Sequence, residues 1–138
     1  VSKIKRGLYF IFMIEKDLFI YLKEKVYPDL VMSNSPISRW DCYSPKTKHR
    51  IELKCRKTHY DELVIERGKF DAMIEKANDN FDLPIYINST PQGIYKWNLF
   101  FVTPTWFEKQ LPKTTDFSDN FKITKEIAML PIVDAEIL

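Results

Sequence analysis

Long hydrophobic runs are missing from this sequence. No apolar stretch approaches the roughly 18 residues that would cross a bilayer, so no membrane segment is expected. Cysteine is scarce too: Cys42 and Cys55 have no metal-ligand spacing and are too few for a disulfide framework. Both read as small buried hydrophobes in a reducing cytoplasm, although a hairpin could face them and leave one bridge open. Repeats, low-complexity tracts and linkers are absent, which favours a single domain over residues 1–138. Lys3-Ile4-Lys5-Arg6 followed by an apolar stretch imitates a secretory signal. That stretch lacks a small-residue cleavage site and runs into Glu15-Lys16-Asp17, so it reads as the start of the domain. Position 1 is Val, and Met13 is an alternative start that would leave residues 1–12 dispensable.

What is present fits a globular protein with a real core: 45% of residues are apolar and 29% charged. The net charge of +2 says little as a total. Residues 1–60 hold 13 Lys/Arg against 6 Asp/Glu, whereas residues 61–138 hold 8 against 13. The densest basic stretch contains Lys46, Lys48, Arg50, Lys54, Arg56 and Lys57, with His49 and His59 among them. A local basic face attracts a polyphosphate without raising the overall pI. On charge alone, a solvated hairpin explains it equally well.

Apolar spacing at Leu18, Phe19, Leu22 and Val26 predicts a helix over 14–26, and Leu30-Val31-Met32 begins a short strand. Ser33-Asn34-Ser35-Pro36 reads as a turn. Arg39 to Tyr43 reads as a strand, Ser44-Pro45-Lys46-Thr47-Lys48 as a tight turn, and Arg50 to Arg56 as a strand of strict charged/apolar alternation. A helix is expected from near Leu63 to Ala77, with Glu66, Phe70, Met73, Ile74 and Ala77 on one side. Strands follow over 83–87 and 94–102, then a single helical turn over 103–108. The order of helix, strands, helix and strands indicates an α/β or α+β sheet with helices packed on it.

Glu52 and Lys54 stand two apart on a strand and leave the same face, while Ile51, Leu53 and Cys55 point the other way. If the turn is centred between Lys46 and Thr47, Asp41 lies directly across from Glu52, with Cβ atoms about 5 Å apart. Two carboxylates so close repel unless a cation sits between them. Mg²⁺ fits hard oxygen ligands in a partly hydrated site and binds phosphate oxygens. Lys54 would orient or deprotonate water, or stabilise charge on a phosphate. Together these residues point to phosphodiester hydrolysis.

Asp41, ten intervening residues, then Glu52-Leu53-Lys54 resembles the signature of the PD-(D/E)XK nuclease superfamily. The likeness covers roughly residues 14–88, and Trp40 stands where the superfamily often has Pro. It implies a restriction-endonuclease-like core, a central mixed sheet flanked by helices in the order αβββαβ with added C-terminal strands. It also implies that Asp41 and Glu52 bind Mg²⁺ (with Mn²⁺ able to substitute), that the Leu53 carbonyl is a further ligand, and that Lys54 assists the attacking water. Superfamily members often add a Glu from the first helix, a role open to Glu15; the alternative is a first-turn Glu stabilised by the helix dipole.

Lys69 sits near the apolar stripe of the second helix, where a polar residue aimed at the site or a solvent-facing lysine both fit. Lys46, Lys48, Arg50, Arg56 and Lys57 are phosphate-contact candidates on the same hairpin. His49 and His59 read as surface residues, and Trp40, Trp97 and Trp106 as core anchors. The expected function is that of a small Mg²⁺-dependent DNA endonuclease, junction-resolving, nicking or restriction-type, of a size like phage-encoded nucleases. RNA remains open as a substrate, and cutting both strands in one encounter would require a homodimer. The competing reading is a non-catalytic nucleic-acid-binding or structural protein that kept the fold.

Overall fold

The computed structural model describes residues 13–33, 41–112 and 122–138. Helix α1 spans Glu15–Lys25. Its ends suit the macrodipole: Glu15 and Asp17 lie in the first turn, Lys23 and Lys25 in the last, and Asp17 accepts the Ile14 amide at 3.1 Å. Strands β1 (Val31–Met32), β2 (Asp41–Ser44) and β3 (His49–Cys55) follow. Next come β4 (Glu62–Glu66), helix α2 (Arg67–Asn80), β5 (Leu83–Thr90) and β6 (Gly93–Asn98). The chain ends with β7 (Phe107–Pro112), β8 (Lys122–Pro131) and β9 (Glu136–Ile137).

Two sheets result. The larger has the order β1-β2-β3-β5-β6-β9 and the smaller β4-β8-β7. Within the larger sheet β3 and β5 run parallel and the other neighbours antiparallel, so the sheet is mixed. Period-two alternation gives it two different faces. Ile51 and Leu53 of β3, Ile85 and Ile87 of β5 and Ile94 of β6 pack against Leu18 and Leu22 of α1. Tyr86, Tyr95 and Trp97 form the opposite core with Phe70 of α2, Leu63 and Ile65 of β4, and Leu130 of β8. The expected α+β architecture, with a central mixed sheet between helices, is the one observed.

The hairpin register is held from outside. Asp29 accepts the Ser44 hydroxyl at 2.9 Å and the Lys46 amide at 2.8 Å, so it holds the end of β2 and the start of the turn. Lys48 takes a left-handed conformation (φ 61°), and its amide closes onto the Ser44 carbonyl at 2.9 Å. These bonds hold the Asp29 carboxyl below the usual carboxylate range, the Lys46 amide contributing most.

Several sequence expectations change. The second helix begins at Arg67 and not near Leu63: Leu63 and Ile65 alternate with half-buried neighbours, and β4 pairs with β8 across the smaller sheet. Phe70, Met73, Ile74 and Ala77 keep their helical stripe, but Glu66 precedes the helix as its N-cap residue. A fourth strand therefore enters the αβββαβ order. The strand expected over 94–102 stops at Asn98, where the Asn98 side chain accepts the Phe100 amide and starts a short 3₁₀ turn. No helical turn forms over 103–108; that stretch is extended and leads into β7. Residues 34–40, including Trp40 and most of the expected Ser33–Pro36 turn, lie outside the described residues. No helix among the described residues is long and apolar enough to cross a membrane.

The α1-side core makes a direct prediction. Leu22 is fully buried, whereas Phe81 at the end of α2 is 91% exposed. Leu22→Ala should lower unfolding stability in urea by about 3 kcal/mol, and Phe81→Ala should leave it within about 0.5 kcal/mol.

Candidate functional site

Asp41 and Glu52 are Cα partners across β2 and β3, as the sequence predicts. The alternation that buries Ile51 and Leu53 against α1 puts Asp41, Glu52 and Lys54 on the other face, beside Tyr86 and Asn88 of β5. Asp41 Oδ1 is buried and has no hydrogen-bond partner among the described residues. A buried carboxylate oxygen without a donor is costly and calls for a cation or a bound water. The neighbouring carboxylate already has a cation. Lys69 Nζ, from the first turn of α2, donates to Glu52 Oε1 at 2.6 Å.

Lys54 is half-buried, and burial pushes its ammonium pKa below the ordinary lysine range. Arg56 and Lys69 push the same way, while Glu15 and Glu66 oppose them. Glu15 is therefore near enough for its charge to reach Lys54. Among the described residues no group of three or more His, Cys, Asp or Glu side chains is gathered to hold a metal. Helix α1 packs on the face of the sheet opposite the two acids. Two facing carboxylates, one with a buried oxygen, are the hard oxygen donors that suit a divalent ion. Leu53, between Glu52 and Lys54, buries its side chain toward α1.

The basic candidates separate into two groups. Arg50 binds Asp82 through Nε at 3.0 Å and Nη2 at 2.8 Å and lies over the Tyr43 ring, whose hydroxyl donates to the same carboxylate at 3.2 Å. Arg56 donates to Asn88 Oδ1 at 2.9 Å, the Val64 carbonyl at 2.6 Å and the Tyr86 hydroxyl at 3.2 Å. Both guanidiniums are thus committed to internal bonds, which tie β3 to β5 and to β4. Lys46 and Lys48 are exposed in the hairpin turn, beyond the end of β2 opposite Asp41. Lys57 is exposed just beyond β3.

The histidines are partly buried and bonded, not the surface residues expected. His49 Nδ1 pairs with the Tyr27 hydroxyl at 2.7 Å, and His59 Nδ1 with the Thr90 hydroxyl at 2.8 Å. Burial, assisted by Lys96, biases His49 toward its neutral form. Trp97 is a core residue and Trp106 packs edge-on against Phe70. The cysteines do not meet, since Cys42 faces Ile51 across the hairpin, and both are free thiols that burial pushes up to about 12.

Three residues near the acids escaped the sequence reading. Asn88 is fully buried opposite Lys54, and its Nδ2 has no partner. The visible signal was an amide directly after the apolar run from Leu83 to Ile87. Tyr86 lies opposite Glu52, and Glu66 pairs with Lys125 at 2.6 Å within reach of Lys54's charge. A cleft of about 820 Å³ opens beside Lys69, between the first turn of α2 and the β7–β8 hairpin. Another of about 790 Å³ lies at the far end of β3, by His49, Trp97 and Phe101.

The same arrangement of elements occurs in a solved structure, the Holliday junction resolvase Hjc of Archaeoglobus fulgidus. The two superpose with a TM-score of 0.52 over 93% of each chain, at 15% sequence identity. The fold is restriction-endonuclease-like. At that identity the likeness shows the fold, and the fold is the one the sequence implies. No protein-family model and no curated protein matches the chain.

Arg50 offers the test of this division of roles. The Asp82 side chain is only 2% exposed, so Arg50→Ala would strand a carboxylate in the interior. Unfolding stability should fall by about 2 kcal/mol, and Arg50→Lys should recover only part of it because the forked contact is lost.

Proposed function

We propose that this chain is a divalent-metal-dependent endonuclease that hydrolyses phosphodiester bonds of structured DNA. The observation that carries this reading is the acid pair itself. Asp41 and Glu52 face each other across one hairpin, Asp41 Oδ1 is buried without a donor, and Lys54 leaves the same face two residues on. Asp41, Glu52 and the Leu53 carbonyl would hold Mg²⁺, or Mn²⁺ in its place. When bound, the ion supplies charge neutralisation at the phosphate and activation of the attacking water.

The chain's own groups account for the rest. Burial of Asp41 keeps bulk water from competing for its free oxygen. Lys54, whose proton is held less tightly than an ordinary lysine's, orients the water and shares a proton with it or with the departing oxygen. Glu15 and Glu66 partly oppose the lowering of the Lys54 pKa, and Asn88 lies opposite Lys54 on β5. Lys46, Lys48 and Lys57 contribute long-range attraction for the phosphate backbone. A branched substrate is favoured because the superposed structure is that of a junction resolvase.

The test is cleavage of four-way junction, supercoiled, linear and single-stranded DNA, with RNA as a further substrate, in Mg²⁺ or Mn²⁺. Cutting should need the ion and prefer the junction. Asp41→Asn, Glu52→Gln and Lys54→Ala should each slow it by at least about 100-fold while leaving the protein folded. Cutting that survives in Asp41→Asn, or a folded wild type inert on every substrate, would end the proposal.

A further inference from the structure

The first turn of α2 holds two cations, Arg67 and Lys69, and no acid. A helix N-terminus favours the opposite sign, so neither charge is there for the helix. Arg67 is matched by Glu126 at 2.7 Å and Asp71 at 3.6 Å, both outside the acid pair. Lys69 is matched by Glu52 at 2.6 Å, and Glu52 is the carboxylate that faces Asp41. Adjacent carboxylates repel, and here an ammonium relieves one of them while the other keeps a buried oxygen with no donor.

An ammonium 2.6 Å from Glu52 Oε1 opposes a divalent ion at the same carboxylate, because the two cations would repel at a few ångströms. We infer that Lys69 holds the cation place at Glu52 in the ion-free protein and competes with a divalent ion for that carboxylate. This rests on the reading of Asp41 and Glu52 as metal ligands. The side chain has the means to leave: it is 44% exposed, its stem is flexible, and it borders the cleft beside the β7–β8 hairpin. A hydrated ammonium on a mobile arm neutralises the acid in the ion-free protein and then competes with the ion for it. The protein alone therefore binds the ion more weakly than its carboxylates would allow.

The experiment is titration of the nucleic-acid-free protein with Mn²⁺, following free Mn²⁺ by electron paramagnetic resonance, in wild type, Lys69→Met, Lys69→Arg and Asp41→Asn. Lys69→Met should bind Mn²⁺ about fivefold more tightly than wild type, and Lys69→Arg should return to wild-type affinity. A merely structural lysine would give equal or weaker binding when removed. If Mn²⁺ binding depends on Asp41 but Lys69→Met binds no more tightly, the place-holding role is overturned and the metal site stands. If wild type shows no binding that Asp41→Asn abolishes, both fall.

Discussion

Strand pairing between β2 and β3 decides which side chains meet, because a slip of one residue would send Asp41 to the other face of the sheet. The register is fixed at the turn, where Asp29 holds the Ser44 hydroxyl and the Lys46 amide and Lys48 supplies the left-handed residue that closes the loop. Asp29 lies far from the acids in the sheet and touches neither. It nevertheless sets where Asp41 stands, and the face shared by Glu52 and Lys54 has meaning only because Asp41 is opposite. The chemistry of the site is thus conditional on a carboxylate whose only bonds are to a turn.

The second determinant is that the sheet is covered on both sides. Had the acid face been open to water, Asp41 would have lost no hydration and Lys54 would keep an ordinary proton affinity. Instead β4, α2 and β8 form a second core against Tyr86, Tyr95 and Trp97, which covers part of the face that carries the acids. Arg56 joins this wall to the sheet through Asn88, Tyr86 and Val64. Electrostatic interactions gain strength in such surroundings and unpaired groups become costly.

How much of this was legible in the sequence follows from the range of the forces involved. The hairpin was readable because its determinants are local: a Ser-Pro-Lys-Thr-Lys turn and strict alternation from Arg50 to Arg56. The central acid pairing and the mixed sheet between helices follow from those. β4 was not readable, since Leu63 and Ile65 fit a strand while Leu63, Glu66 and Phe70 fit a helix. The decision belongs to β8, some 60 residues later. The roles of Arg50 and Arg56 were misjudged for a related reason. Alternation shows that they share a face with Glu52 but not that Asp82 and the second sheet lie over that face. Lys69 was weighed as a solvent-facing lysine because lysines are rarely buried. Its partner depends on where the crossover returns α2 to the sheet.

The parallel pairing of β3 with β5 has a consequence for how the molecule comes into being. Parallel neighbours need a crossover, and the chain from Arg56 to Asp82 must be laid down and folded back before β5 can pair. Such non-local contacts form slowly, because the entropy of closing the loop is lost before the contacts reward it. The β2–β3 hairpin needs only a four-residue turn and can form as soon as it is synthesised. Synthesis therefore brings the two carboxylates together early, while the central strand still has an open edge.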